Sequence, residues 1–399
     1  MSPSPSLRPP QRAKRQSSLP AIRTLQIGMS WQEHGAGSGV ERVYHGLSQS
    51  LPVQNVAFRG LAFATPGTPS APSGMHLIPS LENTSLLRRL YEVRRSCQSL
   101  LLEEPTDLVA SHFSLYTLPV LDLLSSVPLV VHFHGPWALE SAAEGENVLQ
   151  VGLKKWIERQ VYRRASRFIV LSDAFKDVLT TRYDVAPDRI RCVPGGVDVD
   201  RFNTSVSKQN ARRRLGWALS RPTLFAARRL VHRVGLFPLL DAMQEVVRHV
   251  PDAQLFIAGK GPLASELTRR IFEHGLGDHV FLLGFVPEAD LPLAYRAADV
   301  SVVPTQSLEG FGLVAAESLA AGTPPLVTPV GGLPEVVTPL SPALVFETAS
   351  AQAMADHLVQ VLRGRLSLPS AADCRDYALD RFSWERIAQQ TRSVYEEVL

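Results

Sequence analysis

The sequence predicts an α/β protein of two Rossmann-like, doubly wound domains facing a central cleft, on three observations. From Ile22 onward, short apolar runs of strand length alternate with amphipathic stretches of helical period. The alternation breaks after RIRCVPGG and starts again at TLFAARR, so the pattern is written twice. The 399 residues exceed one ordinary core and suit two domains.

The elements follow in order. Residues 1–21, rich in Pro, Ser, Arg and Lys and without the apolar stretch of a signal peptide, read as a disordered tail. In the first domain, 22–195, the strand candidates are IRTLQIG, NVAFRG, TDLVASH, PLVVHFHG, RFIVLS and RIRCVPGG, with helices expected near 40–51, 86–102 and 151–164. Residues 196–221 are polar and weakly periodic and read as a linker. In the second domain, 222–380, the strand candidates are TLFAARR, AQLFIAG, VFLLG, DVSVVP, PPLVTP and ALVFE. Helices are expected there near 236–249, 263–274, 290–298 and 313–321, and 381–399 reads as a closing helix that packs back on the first domain.

Composition removes several classes. The hydrophobic share of 45% and charged share of 20% are those of a soluble globular protein, and no apolar run has the length of a membrane span. Cys97, Cys192 and Cys374 are odd in number and far apart, with no metal-ligand spacing, against both a disulfide framework and a zinc site. A reducing cytoplasm is the expected setting. The net charge of +3 is too small to point to nucleic acid.

The stretch Pro304 to Val337 carries the most chemistry. It follows the strand DVSVVP, so the loop 305–312 lies at a strand's carboxyl end and leads into a helix. Gly310 and Gly312 let the backbone approach a ligand, and the free N–H groups of the first helical turn suit a diphosphate. Glu309 lies ahead of the helix and Glu317 about one turn into it. Carboxylates repel phosphate, so beside an anion site they suit hydroxyl groups of a sugar or ribose. A second strand end, RRLVHRVG, offers Arg228, Arg229 and Arg233 as cations for charge growing on a leaving diphosphate. PLVVHFHGPW places His132 and His134 on one side of a strand end.

The E-x7-E pattern in EGFGLVAAE resembles the retaining glycosyltransferases of family 4, which have the GT-B fold, and the likeness runs from Gly37 to the end through GSGVERV, HFHGP, VPGGVDVDRF, IAGKGP, FLLGFVP, ADVSVVP and RFSWERIA. The resemblance implies transfer of a sugar from a nucleoside diphosphate to an acceptor hydroxyl with retention, without cofactor or metal. It implies catalytic roles for His134, Arg229, Arg233 and Glu309, and donor binding by Gly39, Arg228, Gly310, Phe311, Gly312, Leu313 and Glu317. Glu317 would hold the ribose, Glu309 the donor sugar, and the amides of Phe311 to Leu313 the sugar and β-phosphate. The chain departs from the family in two places: with Arg229 as the family's arginine, Val234 stands where a lysine is usual, and Ser38 replaces the first glycine of a pair. Which of the three arginines faces the diphosphate stays open, with Arg233 a replacement for the missing lysine.

Two rival readings are a nucleotide-sugar epimerase on a related fold and an inactive sugar-nucleotide-binding protein. LLRRLYEVRRS and LKKWIERQVYRR mix cations with apolar residues at helical spacing, which suits either a surface helix over a sheet or a peripheral contact with the inner membrane surface.

Overall fold

All strands of the first sheet run parallel, in the order β3-β2-β1-β4-β5-β6-β7. They are β1 Ile22–Trp31, β2 Val56–Ala64, β3 Met75–Ile78, β4 Leu108–Ser111, β5 Leu129–Phe133, β6 Arg167–Val170 and β7 Ile190–Cys192. The second sheet, also parallel, has the order β10-β9-β8-β11-β12, with β8 Thr223–Ala227, β9 Gln254–Ala258, β10 Val280–Gly284, β11 Val300–Val303 and β12 Pro325–Val327. The computed structural model describes residues 21–31, 38–65, 71–79 and 84–399; the tail at 1–20 and Gly37 lie outside them.

Parallel sheets need both faces covered, which is why their strands read as continuous apolar runs. In the first domain, one face is packed around Leu25, Val109, Val131 and Phe168, the other around Ile22, Tyr44, Ala110 and Val130. One cluster from Val197 to Phe382 makes the second core.

The sequence reading is corrected in three places. The stretch 196–221 is folded into the second domain: it contains the helices Val199–Phe202 and Lys208–Leu215, and Phe202, Ala211 and Trp217 join the second core. Its polarity misled because Arg212, only 4% exposed, is satisfied by Asp299 at 2.8 Å and by carbonyls, while Trp217 stacks on Phe256 at 3.8 Å. ALVFE makes no strand; a turn starting at Pro342 leaves one bridge, Val345 to Val327. Helices Asp173–Tyr183, Ala351–Leu362 and Ala371–Phe382, and strand β3, are not predicted from periodicity and are present.

The chain crosses between domains twice, and the crossings touch. The Val197 amide donates to the Phe382 carbonyl at 2.8 Å, and Val197 bridges Ser383. The closing helix, Trp384–Glu396, then packs on Gly39–Ser50 of the first domain. Gly46 and Gly196 make this possible: a Cβ on either would fall 2.0 or 2.4 Å from the Trp384 indole. Ile387, Ala388, Val394 and Tyr395 are buried among first-domain residues, worth about 1.5 to 3 kcal/mol for each large side chain.

Candidate active site

In open parallel sheets ligands bind beyond the strand carboxyl ends where strand order reverses. In the second sheet that point lies between β8 and β11. β8 delivers Arg228 to it, and β11 delivers the loop 304–312. Arg228 donates to Glu309 at 2.6 Å and to the Thr305 hydroxyl at 2.9 Å, and Thr305 donates to Glu309 at 3.1 Å. Burial works to raise the Glu309 carboxyl, but the charge and hydrogen bond of Arg228, then Arg233 and Thr305, outweigh it and hold it below its ordinary value. The loop is shaped by its backbone: the Gly332 amide donates to the Glu309 carbonyl at 2.9 Å, and Gly331, at φ +57°, leaves no room there for a Cβ.

The three arginines separate. Arg228 pairs with Glu309, whereas Arg229 is exposed. Arg233 donates to the Leu308 carbonyl at 3.1 Å and lies 3.9 and 3.7 Å from Glu140 and Glu144 of the first domain. Burial raises the Glu140 carboxyl above its usual range; Arg233 opposes the shift, and the Glu309 charge adds to it. Val234 is 2% exposed and belongs to the second core.

Gly312, at φ +83°, opens the helix Leu313–Ala320. Phe311, 4% exposed, turns its ring into the core against Phe382, leaving its amide as the polar group. Gly310 packs on Phe175 of the first domain so closely that a Cβ would come within 2.3 Å of its ring, and a Cβ on Gly39 would meet Leu313 at 3.6 Å. Glu335 ties the domains again, accepting from the amides of Asp173 at 2.8 Å and Ala174 at 3.0 Å.

Glu317 is 4% exposed and accepts from the Tyr295 hydroxyl at 3.2 Å. Its other oxygen is held by Arg42 of the helix Gly39–Ser50, which also reaches Glu288 at 2.6 Å; Arg201 holds Glu288 at 2.5 Å. The Glu317 charge raises the Arg42 pKa above its ordinary value, against burial, which lowers it. Sequence reasoning missed this network. Arg42 lay inside GSGVERV, one turn from a glycine loop, but nothing in the spacing of Glu288 or Arg201 marks them. Arg42, Glu317, His45, Arg201, Leu313 and Trp384 line a cavity of about 430 Å³ between the domains.

His134 follows β5, with Nε2 3.0 Å from His112 Nδ1, and burial holds its pKa down to about 4. Among the described residues no group of three or more His, Cys, Asp and Glu is placed to hold a metal, and no helix is long and apolar enough to cross a membrane.

Comparison with known proteins bears on the whole arrangement. The family described as "Glycosyltransferase Family 4" matches residues 37–201, and "Glycosyl transferases group 1" matches 207–381. The D-inositol 3-phosphate glycosyltransferase of Corynebacterium urealyticum is 32% identical over 308 residues, 73% of this chain and 72% of that protein. Its counterpart in Saccharomonospora viridis is 35% identical over 253 residues, 61% of this chain; the match spans 58% of that relative's length. A GDP-mannose-dependent alpha-(1-6)-phosphatidylinositol monomannoside mannosyltransferase of Mycobacterium tuberculosis is 32% identical over 206 residues, 49% of this chain and 53% of the relative. Sucrose-phosphate synthase from Thermosynechococcus elongatus superposes with a TM-score of 0.75 at 20% identity, covering 94% of this chain and 98% of that one. Anabaena HepE in complex with UDP-glucose gives 0.74 at 18%, covering 94% and 100%, and the glycosyltransferase WaaG gives 0.72 at 18%, covering 94% and 99%. These structural likenesses speak for the fold. With both halves matched in order, the chain belongs to the group 1, family 4 glycosyltransferases and has the GT-B fold.

Proposed function

We propose that the protein moves a sugar from a nucleoside diphosphate to an acceptor hydroxyl with retention of anomeric configuration. The observation that carries this is the cluster at the β8–β11 switch point, where Arg228 pairs with the Glu309 carboxylate, Arg233 holds the Leu308 carbonyl next to it, and the loop runs on into the helix Leu313–Ala320. Amides and guanidinium groups suit a diphosphate, and Glu309 suits sugar hydroxyls. The acceptor oxygen attacks the anomeric carbon on the face the leaving group departs from. The bond from carbon to phosphate oxygen breaks as the new glycosidic bond forms, and the leaving oxygen takes the acceptor's proton. Arginine charge stabilises the diphosphate as it leaves, with no protein nucleophile and no metal.

The relatives' names, with inositol phosphate and a phosphatidylinositol mannoside in them, favour a polyol or a lipid-linked polyol as acceptor. A lipid acceptor accords with the helix Val148–Arg164: Val148, Leu149, Leu153 and Trp156 are all more than half exposed, and Lys155, Arg159 and Arg163 lie on the same helix. Apolar residues ringed by cations suit an anionic membrane surface. The expected setting is the cytoplasm, with peripheral contact at the inner membrane surface.

The test is incubation of the full chain with a panel of nucleotide sugars and polyol or lipid acceptors. Released nucleoside diphosphate and the product's anomeric configuration are the readouts. Turnover with retention supports the reading, and the absence of both thermal stabilisation and turnover with every donor overturns it.

A further inference from the structure

Strands β1, β4 and β5 are neighbours, and they bring Gln26, His112 and His134 into one line. His112 Nε2 lies 2.9 Å from Gln26 Oε1, and His112 Nδ1 lies 3.0 Å from His134 Nε2. The His132 ring stacks on His112 at 4.3 Å, and its Nε2 pairs with the Tyr395 hydroxyl at 2.8 Å. At the far end, the side-chain amide nitrogen of Gln26 donates to the Thr24 hydroxyl oxygen at 2.9 Å and to Tyr395 at 3.2 Å. The Thr24 hydroxyl spends its own hydrogen on the Ala57 carbonyl at 2.8 Å.

One proton arrangement satisfies the contacts of Thr24, Gln26, His112 and His134 together. The Ala57 carbonyl can only accept, so the Thr24 hydroxyl donates to it and accepts from Gln26. That sets the Gln26 amide nitrogen toward Thr24 and its oxygen toward His112, so His112 carries its hydrogen on Nε2. Burial, with His132 and His134 adjacent, lowers the His112 pKa well below its ordinary value, so the ring is neutral and its Nδ1 is a bare acceptor. His134 must therefore donate from Nε2, which leaves its Nδ1 without a hydrogen. That atom is buried and has no hydrogen-bond partner among the described residues. An orphaned buried acceptor destabilises the site until a donor reaches it.

We propose that Gln26 and His112 are positioning residues that lock His134 in its Nε2–H form, so that Nδ1 accepts a hydrogen bond from a hydroxyl group of the ligand in the cleft. This rests on the transferase reading for the ligand's identity, but the proton arrangement is a property of the free protein. A phosphate or carbonyl oxygen could not fill the same place, since neither donates.

The experiment uses the full chain with ¹⁵N-labelled histidine, its resonances assigned with His112→Asn and His134→Gln. Long-range ¹⁵N–¹H spectra at pH 7.5 show which ring nitrogens are bare. The expected result is His134 with hydrogen on Nε2 and a bare Nδ1; a hydrogen on Nδ1, or a charged ring, overturns the proposal. In Gln26→Leu the lock is gone, so His134 is expected to show a mixture of both forms. There KM for the nucleotide sugar rises about tenfold, the scale of one hydrogen bond, with kcat little changed. An unchanged tautomer with an unchanged KM overturns the role of Gln26, as does a fall in kcat alone. Adding the nucleotide sugar, then the acceptor, identifies the source of the hydroxyl by which addition shifts Nδ1. If a nucleotide sugar stabilises the protein and neither addition moves Nδ1, the hydroxyl assignment falls. If no nucleotide sugar binds at all, the transferase reading falls and the tautomer result stands by itself.

Discussion

The Arg42 guanidinium, on the first helix of one domain, closes on the Glu317 carboxylate in the helix that follows β11 of the other. Removing one partner leaves a buried carboxylate unpaired. Arg42→Ala is expected to lower stability by about 2 to 3 kcal/mol, the cost of a broken buried pair reduced for the partial exposure of Arg42. Arg42→Ala combined with Glu317→Ala should cost clearly less than the sum of the two single changes. Urea denaturation of the four proteins measures the coupling, and strict additivity would disprove it.

The arginines differ enough in placement to be ranked by kinetics. Arg228→Ala and Arg233→Ala are each expected to lower kcat by about 100-fold, the scale of one lost electrostatic contact to a transition state. Arg229 is exposed, and Arg229→Ala should change kcat by less than about threefold. Initial rates of nucleoside diphosphate release decide; an Arg229 effect as large as the other two would reverse the assignment.

Val234→Lys introduces the lysine usual in the family. Because Val234 is 2% exposed in the second core, the change buries an ammonium group and should cost about 2 kcal/mol or more. No gain in kcat is expected. A variant both active above the parent and equally stable would show that the side chain reaches the cleft.

Burial pushes the Glu158 carboxyl up to about 7, despite hydrogen bonds from Tyr183 and the Ala138 amide. The native state keeps a proton that the unfolded chain releases near 4.5. The contribution of Glu158 is therefore full below 4.5 and is lost as pH rises toward about 7, on the order of 3 kcal/mol in all. The neutral imidazoles of His112, His132 and His134 act in the opposite direction, losing stability as pH falls below their ordinary 6.5. Glu158→Gln should be more stable than the parent at pH 8, and the gain should shrink toward pH 4.5. Melting curves across that range check the difference, and a constant offset would contradict it.

For the exposed helix face, Leu149→Glu with Trp156→Ala should weaken co-sedimentation with anionic phospholipid vesicles about tenfold, and rising salt should weaken the parent. Equal sedimentation of parent and variant would show that the face rests on something other than lipid.

Much of this was legible because local pattern and tertiary role coincide. The β8 and β11 runs are mostly apolar and give way to Arg228 and to the polar loop from Pro304, so the strand ends that hold Arg228 and Glu309 could be placed from the chain alone. The residues between Arg228 and Arg233 gave no ranking, since side-chain direction after a strand end depends on a loop whose bends do not show in periodicity. Arg42 and Glu317 stand 275 positions apart, and no spacing rule couples them. Lys208–Leu215 reads as linker because its mean polarity hides one buried arginine, and burial of Arg212 depends on Asp299 and the Ala297 carbonyl waiting in another element.

The last helix of the chain also changes what counts as a folding unit. Arg392 caps the Gln54 and Asn55 carbonyls at 2.7 and 3.0 Å, and Tyr395 reaches Gln26 in the first strand. On a ribosome, the domain made first must wait with an uncovered flank until the domain made second has emerged and the tail behind it has swung back. Completion of the early half is thereby made contingent on synthesis of the late one.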